Sequence, residues 1–222
     1  MLFNIITIFP DIFESYFSKA MIKRAQLKKI IKIKITDLRQ FAENKYKSVD
    51  DTPYGGGAGM VLKIEPIYKA LKAIKKKKKS RVILFSARGK TLTQKDLRRL
   101  KKYDQLILIC GRYEGVDNRV AEKLADEEIS IGNYVLTGGE IPAMTLVDGI
   151  TRLLPGVLGN LESPKDESFA KENELEYPQY TKPEKFRSWK VPEVLLSGHH
   201  GKIEEWREKQ KKVAKGEALK EV

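Results

Sequence analysis

Short apolar runs alternate with helical patterns over the first two-thirds of this 222-residue chain. Leu2–Phe9 predicts a buried strand, and the isoleucines that alternate with lysines in Ile30–Thr36 predict a half-buried strand. Three more apolar runs predict further strands, at Val82–Phe85, Leu106–Cys110 and Ile129–Ile131.

Apolar positions spaced by about 3.6 residues predict helices between these strands. A first helix is expected to begin at Pro10 and Asp11, with apolar positions from Ile12 to Met21, and Thr93 is expected to cap another. Further helices are predicted from Pro66 onwards, over Val116–Ala125 and over Pro142–Leu154. This alternation is typical of an α/β domain with a largely parallel sheet.

The composition changes after Leu158, where charges are many and aliphatic residues few. We therefore predict an α/β domain at 1–159, a flexible connection at 160–180 and a small helical domain at 181–222. In the last region, Gly201–Lys215 is expected to form a helix with a basic face.

The net charge of +13, from 43 Lys+Arg against 30 Asp+Glu, favours a polyanionic partner. Charge alone does not separate nucleic acid from a membrane surface, and enrichment in both lysine and glutamate is also typical of hyperthermophile proteins. The run Lys75–Lys79 is expected to end a helix, where the helix dipole favours cations, although it could also contact phosphate.

The apolar N-terminus, Met1–Pro10, is too short to span a bilayer and lacks the features of a signal peptide, so we expect a soluble, cytosolic protein. The one cysteine, Cys110, excludes an internal disulfide and is expected to be a buried apolar residue rather than a nucleophile. The adjacent histidines His199 and His200 make a poor zinc site.

Two glycine-rich segments, Cys110–Asp117 and Ile131–Glu140, each follow a predicted strand. Glycine lets backbone N–H and C=O groups approach a ligand closely, and ligands of parallel sheets bind at the carboxyl ends of strands. The two segments therefore predict a site with Arg112, Glu114, Asp117 and Glu140 in or beside it, the alternative being ordinary turns. A third glycine-rich loop, Pro53–Met60, lacks the closing Gly-Lys-Ser/Thr of a P-loop, which argues against an NTPase.

Six motifs, found in this order, strongly resemble the bacterial tRNA (guanine-N1-)-methyltransferases of the SPOUT superfamily. They are Phe9–Phe13, Thr52–Met60, Cys110–Asp117, Ile131–Glu140, Arg152–Leu158 and Val194–His199. The resemblance covers nearly the whole chain. It implies an α/β domain with a mostly parallel sheet and a deep trefoil knot, plus a small C-terminal all-helical domain. It also implies a homodimer with the active site at the subunit interface.

The reaction implied by the resemblance is transfer of a methyl group from S-adenosyl-L-methionine to N1 of the guanosine immediately 3′ of the anticodon. The partner would then be the anticodon stem-loop of tRNA, and not DNA or a membrane. The cofactor positions that match the family's motifs are Gly111, Glu114, Ile131, Gly132, Asn133, Tyr134, Val135 and Leu136, with Ser86, Gly138 and Gly139 close by.

Guanine N1 carries a proton, so the reaction needs a base and a group that stabilises charge on O6. The family uses an aspartate of the interdomain linker and an arginine after the knot. The arginine matches Arg152, whereas the aspartate falls on Glu167, one methylene longer, with Asp166 as the neighbouring alternative.

The family depends on magnesium, so Mg²⁺ is a further expected cofactor, but its ligands are unknown because the sequence contains no dedicated carboxylate cage. Glu114 or Asp117 could contact it. Two departures from the family pattern are Ala87, where proline is usual, and a short C-terminus. The glutamate at position 167 and the short C-terminus leave open a non-catalytic RNA-binding module, and a SPOUT enzyme with another RNA target is a further alternative. The expected RNA contacts are Lys182, Lys185, Arg187, Trp189, Lys190, Lys202 and Arg207.

Overall fold

The computed structural model describes residues 1–158, 167–169 and 174–213. The chain divides into two compact units, Met1–Gly159 and Asn160–Val222. In the described part of the chain, no helix is long and apolar enough to cross a membrane.

The first unit is built on a five-stranded sheet with the order β2-β1-β6-β5-β7, in which all neighbouring strands are parallel. This confirms the predicted α/β class with a mostly parallel sheet. The strands are β1 (Leu2–Thr7), β2 (Lys32–Asp37), β3 (Asp50–Asp51), β4 (Val61–Leu62), β5 (Ser80–Thr91), β6 (Gln105–Cys110) and β7 (Glu127–Ser130), of which β3 and β4 form a separate antiparallel pair.

The sheet is covered on both faces, which is why its central strand is buried throughout and apolar except for Gln105. All six residues of β6 are buried. Because side chains alternate across a strand, Leu106, Leu108 and Cys110 join one core cluster, and Ile107 and Ile109 join the other. Cys110 is therefore a buried core residue, as predicted.

The helices of the first unit lie close to their predicted positions. They are α1 (Glu14–Phe17), α2 (Ala20–Leu27), α3 (Ile64–Ala73), α4 (Gln94–Leu100), α5 (Asn118–Lys123) and α6 (Glu140–Thr151). Thr93 caps α4 through a capping box with Asp96, which confirms the predicted cap.

The predicted continuous first helix is wrong. A 3-10 turn at Pro10–Phe13 leads into α1, and the chain breaks before α2. Phe13 and Phe17 are buried four residues apart, but the next buried residue is Ile22, five residues further on. This spacing leaves the helical period, so one straight helix could not bring all three to the core.

The lysine run also differs from its prediction. Helix α3 ends at Ala73, and Lys75–Lys79 forms an exposed loop before β5 instead of the end of a helix. The fully buried Gln105 holds this loop, because its side-chain Oε1 accepts from the amide of Lys77 at 2.7 Å.

Strand β5 is longer than predicted and irregular at its carboxyl end. Phe85 and Lys90 both lie opposite Ile129 of β7, so the residues between them form an excursion from the ladder. Gly89 passes the backbone of β7 so closely that an added Cβ would lie 2.5 Å from the Ile129 nitrogen. The excursion places Ser86–Arg88 beside the loops that follow β6 and β7.

The second unit contains the helices α7 (Glu193–Leu196) and α8 (His200–Gln210). We predicted an all-helical domain, but this unit also contains short strands. The antiparallel strands β8 (Glu174–Leu175) and β11 (Lys212–Val213) pair with each other, as do β9 (Lys185–Phe186) and β10 (Trp189–Lys190). Helix α8 ends five residues before the predicted end at Lys215, because the chain turns into β11 after Lys211.

Candidate functional site

The loops at the carboxyl ends of β5, β6 and β7 enclose a cavity of about 280 Å³. This is where ligands bind in parallel α/β sheets, and its volume is near the lower end of the range for small-molecule sites. Its walls come from the excursion of β5 at Ser86–Arg88, the loop 111–116 and the loop 130–139.

Ten of the eleven residues predicted to hold the cofactor line this one cavity. They are Ser86, Gly111, Glu114, Ile131, Gly132, Tyr134, Val135, Leu136, Gly138 and Gly139. Asn133 is not among the described residues that line it. Tyr134 and Val135 are 56% and 87% exposed, so a bound ligand would cover apolar surface that now faces solvent.

The two glycine loops are fixed to each other by backbone contacts. The amide of Gly139 donates to the carbonyl oxygen of Gly111 at 2.9 Å, and Arg112 forms an isolated antiparallel bridge with Gly138. A Cβ on Gly139 would lie 2.6 Å from the Cα of Cys110, a backbone atom that cannot move aside. Glycine at this position is therefore required by the close approach of the two loops.

A buried carboxylate at the start of α6 connects three elements of the site. Arg112 Nε donates to Glu140 Oε2 at 2.9 Å, and the hydroxyl of Thr7 at the end of β1 donates to Glu140 Oε1 at 2.7 Å. The side chain of Glu140 is 2% exposed. The Arg112 guanidinium also lies over the ring of Phe9, 4.8 Å from its centroid. A buried charge is tolerated when it is paired and hydrogen-bonded, as Glu140 is.

The sequence predicts Arg112 and Glu140 in or beside the site, but it does not predict Thr7 or Phe9 as their partners. Thr7 lies at the carboxyl end of a strand that neighbours β6, which is the one sequence signal that could have indicated it.

The third glycine-rich loop also reaches the site. The amide of Glu114 donates to the carbonyl oxygen of Met60 at 3.0 Å. An added Cβ on Gly59, whose φ is +82°, would lie 2.6 Å from the Glu114 side chain. The segment that lacks the P-loop pattern therefore supports the wall of the cavity that carries Glu114.

Arg152 is not brought to the cavity within the first unit. It caps the carboxyl end of α6, whereas the cavity is at the amino end of this helix. Twelve helical residues span about 18 Å. Glu167 is half-buried in the second unit, and Asp166 lies outside the described residues.

Two other candidate residues, Cys110 and Asp117, are engaged within the fold. Burial raises the pKa of the Cys110 thiol well above its ordinary value, with the charge of Glu140 adding to the effect. Hydrogen bonds from Arg119 lower the pKa of Asp117, which is therefore already paired. Among the described residues, no group of three or more histidine, cysteine or acidic side chains could hold a metal ion.

A parallel sheet whose carboxyl-end loops enclose a cavity defines the chain as an α/β protein with a small-molecule site. The model of the family tRNA (guanine-1)-methyltransferase TrmD matches residues 1–218. The chain therefore belongs to this family of tRNA methyltransferases.

Similar proteins from several bacteria carry the name tRNA (guanine-N(1)-)-methyltransferase. The one from Dictyoglomus turgidum is 54% identical, over 93% of this chain and 83% of the relative. The one from Gloeobacter violaceus is 53% identical, over 95% of this chain and 92% of the relative. The one from Geobacillus kaustophilus is 52% identical, over 95% of this chain and 86% of the relative.

Proposed function

We propose that the chain transfers the methyl group of S-adenosyl-L-methionine to N1 of the guanosine immediately 3′ of the anticodon in tRNA. The observation that carries this proposal is the cavity at the carboxyl end of the sheet, which is lined by ten of the eleven residues predicted to hold the cofactor. The relatives named for guanine-N1 methylation of tRNA support it independently.

The residues around the cavity suit an adenosine-containing methyl donor. Gly111, Gly138 and Gly139 bring backbone to the cavity wall with no Cβ between it and a ligand, while Val135 and Leu136 offer apolar surface. When bound, the donor supplies an electrophilic methyl group on a cationic sulfur. The carboxylate of Glu114 at the cavity wall is of the opposite charge and would favour that cation.

Methyl transfer requires the N1 proton to leave as the new N–C bond forms. We assign this proton to a carboxylate, Glu167 or the neighbouring Asp166, and the charge that develops on O6 to the guanidinium of Arg152. Glutamate has an acid strength close to that of aspartate, so Glu167 is chemically competent although it is one methylene longer than the family's residue. We also propose that the reaction uses Mg²⁺, as in the family.

The active unit is proposed to be a homodimer with its active site at the subunit interface. Two features of the first unit support this. Arg152 lies about 18 Å along α6 from the end that meets the cavity. Apolar side chains on the surface of the same unit, Phe9, Ile12 and Ile141, are 38–54% exposed. Exposed apolar surface is typical of subunit contacts when such side chains form one patch.

We further propose that the loops of the cavity form a deep trefoil knot. The double register of β5 against β7 around Ser86–Gly89 supports it, as does the tight backbone contact at Gly89. We propose that residues 181–222 bind tRNA and that the connection 160–180 carries the general base, Glu167 or Asp166. The enzyme would act in the cytosol.

Unmodified tRNA transcripts and a radiolabelled donor test the reaction. We expect label to enter the native transcript and to disappear when the target guanosine is replaced by adenosine. Undiminished labelling of the replaced transcript would contradict the proposal and indicate another target. No labelling of either transcript at saturating donor would indicate an RNA-binding protein without activity.

A further inference from the structure

The hairpin formed by β9 and β10 carries different residues on its two faces. Phe186 lies directly opposite Trp189, and Lys185 directly opposite Lys190. Because side chains alternate along a strand, the aromatic pair occupies one face and the lysine pair the other.

The aromatic pair is exposed rather than packed into a core. Phe186 and Trp189 are 55% and 69% exposed, with ring centroids 5.9 Å apart and planes tilted by 43°. The second tryptophan of the chain, Trp206, is half-buried, and its ring centroid lies 6.3 Å from that of Tyr180. The second unit therefore uses Trp206 in its packing but leaves most of Trp189 in contact with solvent.

The positions of the hairpin's cations lower its stability when no ligand is bound. Like charges directly opposite each other, as at Lys185 and Lys190, destabilise a strand pair. Arg187 in the turn has a φ of +56°, a conformation that favours glycine. Its guanidinium nevertheless lies 5.6 Å from the centroid of the Phe186 ring. One carboxylate, Glu184, precedes these three cations.

The repelling lysine pair and the strained arginine oppose the stability of this short hairpin, and the exposed rings leave apolar surface in contact with water. Departures of this kind from local preference are expected at functional sites. The combination fits one chemistry well, because single-stranded nucleic acid is bound by aromatic rings that stack on bases and by cations that attract phosphates.

We propose that the β9–β10 hairpin binds an unpaired nucleobase of the RNA substrate, which stacks on the Phe186–Trp189 pair. Arg187, beside the same rings, meets the phosphate next to that base. Lys185 and Lys190 on the opposite face add attraction for the RNA backbone. This inference rests on the proposed tRNA substrate and adds a base-stacking site in the second unit.

Fluorescence of Trp189 tests the stacking directly. The chain has two tryptophans, so Trp206→Phe leaves Trp189 as the single reporter. We expect its emission to be quenched when an anticodon stem-loop RNA binds, and not when a blunt RNA duplex of the same length binds. Equal quenching by both, or none at RNA concentrations that saturate binding by anisotropy, would overturn the proposal. A change in emission with protein concentration alone would also overturn it, because a second copy would then cover the rings.

Substitutions separate stacking from folding. Trp189→Ala should weaken the Kd for tRNA by about 5- to 150-fold, while Trp189→Phe, which keeps a ring, should retain most of the affinity. Lys209→Gln serves as the charge control for Arg187→Gln, because Lys209 lies on α8 of the same unit and is 75% exposed. Only Arg187→Gln should reduce the slope of log K against log salt concentration, by about the amount that one phosphate contact contributes. Equal affinities of the native protein and Trp189→Ala would overturn the proposal.

Affinity for S-adenosyl-L-homocysteine distinguishes this proposal from the proposed reaction. Trp189→Ala should bind this product like the native protein and should show a raised KM for tRNA. A native protein that quenches with the stem-loop but methylates no guanosine would refute the proposed reaction and still support the hairpin. Loss of product affinity in Trp189→Ala would count against a separate RNA contact.

Discussion

Arg112 Nε donates a hydrogen bond to Glu140 Oε2 over 2.9 Å, and this contact ties the loop after β6 to the start of α6. Both residues are buried or nearly so, with side chains 18% and 2% exposed. The walls of the cavity thus depend on one carboxylate, whose other oxygen accepts from Thr7.

Glu140→Gln should weaken binding of S-adenosyl-L-homocysteine and lower the stability of the protein by about 2 kcal/mol, since a charged hydrogen bond is lost. Calorimetry and thermal unfolding measure the two effects. Glu127→Gln is the matched control, because Glu127 also pairs with arginines, Arg81 and Arg99, away from the cavity. The control should lose stability but keep its affinity for the product. Loss of stability without loss of affinity in Glu140→Gln would show that the pair is only structural.

Gly139→Ala should abolish or strongly weaken product binding and destabilise the fold by about 1–3 kcal/mol, the usual range for overpacking. The physical cause is a Cβ placed 2.6 Å from the Cα of Cys110. Gly201→Ala in α8 is the control, because its added Cβ has no atom within 4 Å apart from its chain neighbours and the backbone of its own helix, and alanine favours a helix. Tm and calorimetry check both. Native-like product binding by Gly139→Ala would mean that the two loops do not need their close approach.

Arg152→Ala should lower kcat far more than it weakens cofactor binding, because the guanidinium is assigned to charge that develops only in the transition state. Loss of a single such donor typically costs about 100- to 1000-fold in kcat. Single-turnover methylation and calorimetry on the same preparation give the two quantities. If the affinity collapses instead, Arg152 holds the cofactor and not the transition state.

Glu167→Gln and Asp166→Asn, made singly, should identify the base. The base variant should lose at least about 100-fold in turnover, in the range of general-base catalysis, while the other variant stays close to native. Single-turnover rates at saturating donor and tRNA measure this. Equal and mild losses would remove both carboxylates from the chemistry.

Stability should fall in acid partly through Glu127. Burial opposes ionisation of this carboxyl, but hydrogen bonds from Arg99 and Arg81 outweigh it and lower its pKa below the ordinary 4.5. A lowered folded-state pKa stabilises the fold above about pH 4.5, and this contribution is lost as the pH falls through the folded value. Native Tm should therefore drop below pH 4.5, and that of Glu127→Gln should drop less. Parallel Tm curves would exclude this carboxyl as a cause.

The sequence predicts those parts of the fold that depend on local signals. The apolar runs of β1 and β6, the Thr93 cap and the glycine loops after β6 and β7 all lie where the pattern places them. The cavity follows from them, because the carboxyl ends of parallel strands share one edge of the sheet.

What the sequence does not predict depends on contacts between distant residues. Thr7 and Glu140 are 133 positions apart, so their hydrogen bond has no local signal. The break before α2 and the excursion of β5 arise because tertiary packing overrides the local period. Strands β8 and β11 have no local signal either, because they pair with each other from distant parts of the second unit.

Locating the methyl group on the RNA tests the central proposal most directly. An unmodified tRNA transcript is incubated with the protein and S-adenosyl-L-methionine, digested with nuclease and analysed by mass spectrometry. We expect one added methyl group, as 1-methylguanosine, at the position immediately 3′ of the anticodon, and none with Gly139→Ala. A methyl group on another nucleotide, or none from the native protein, would contradict the proposed function.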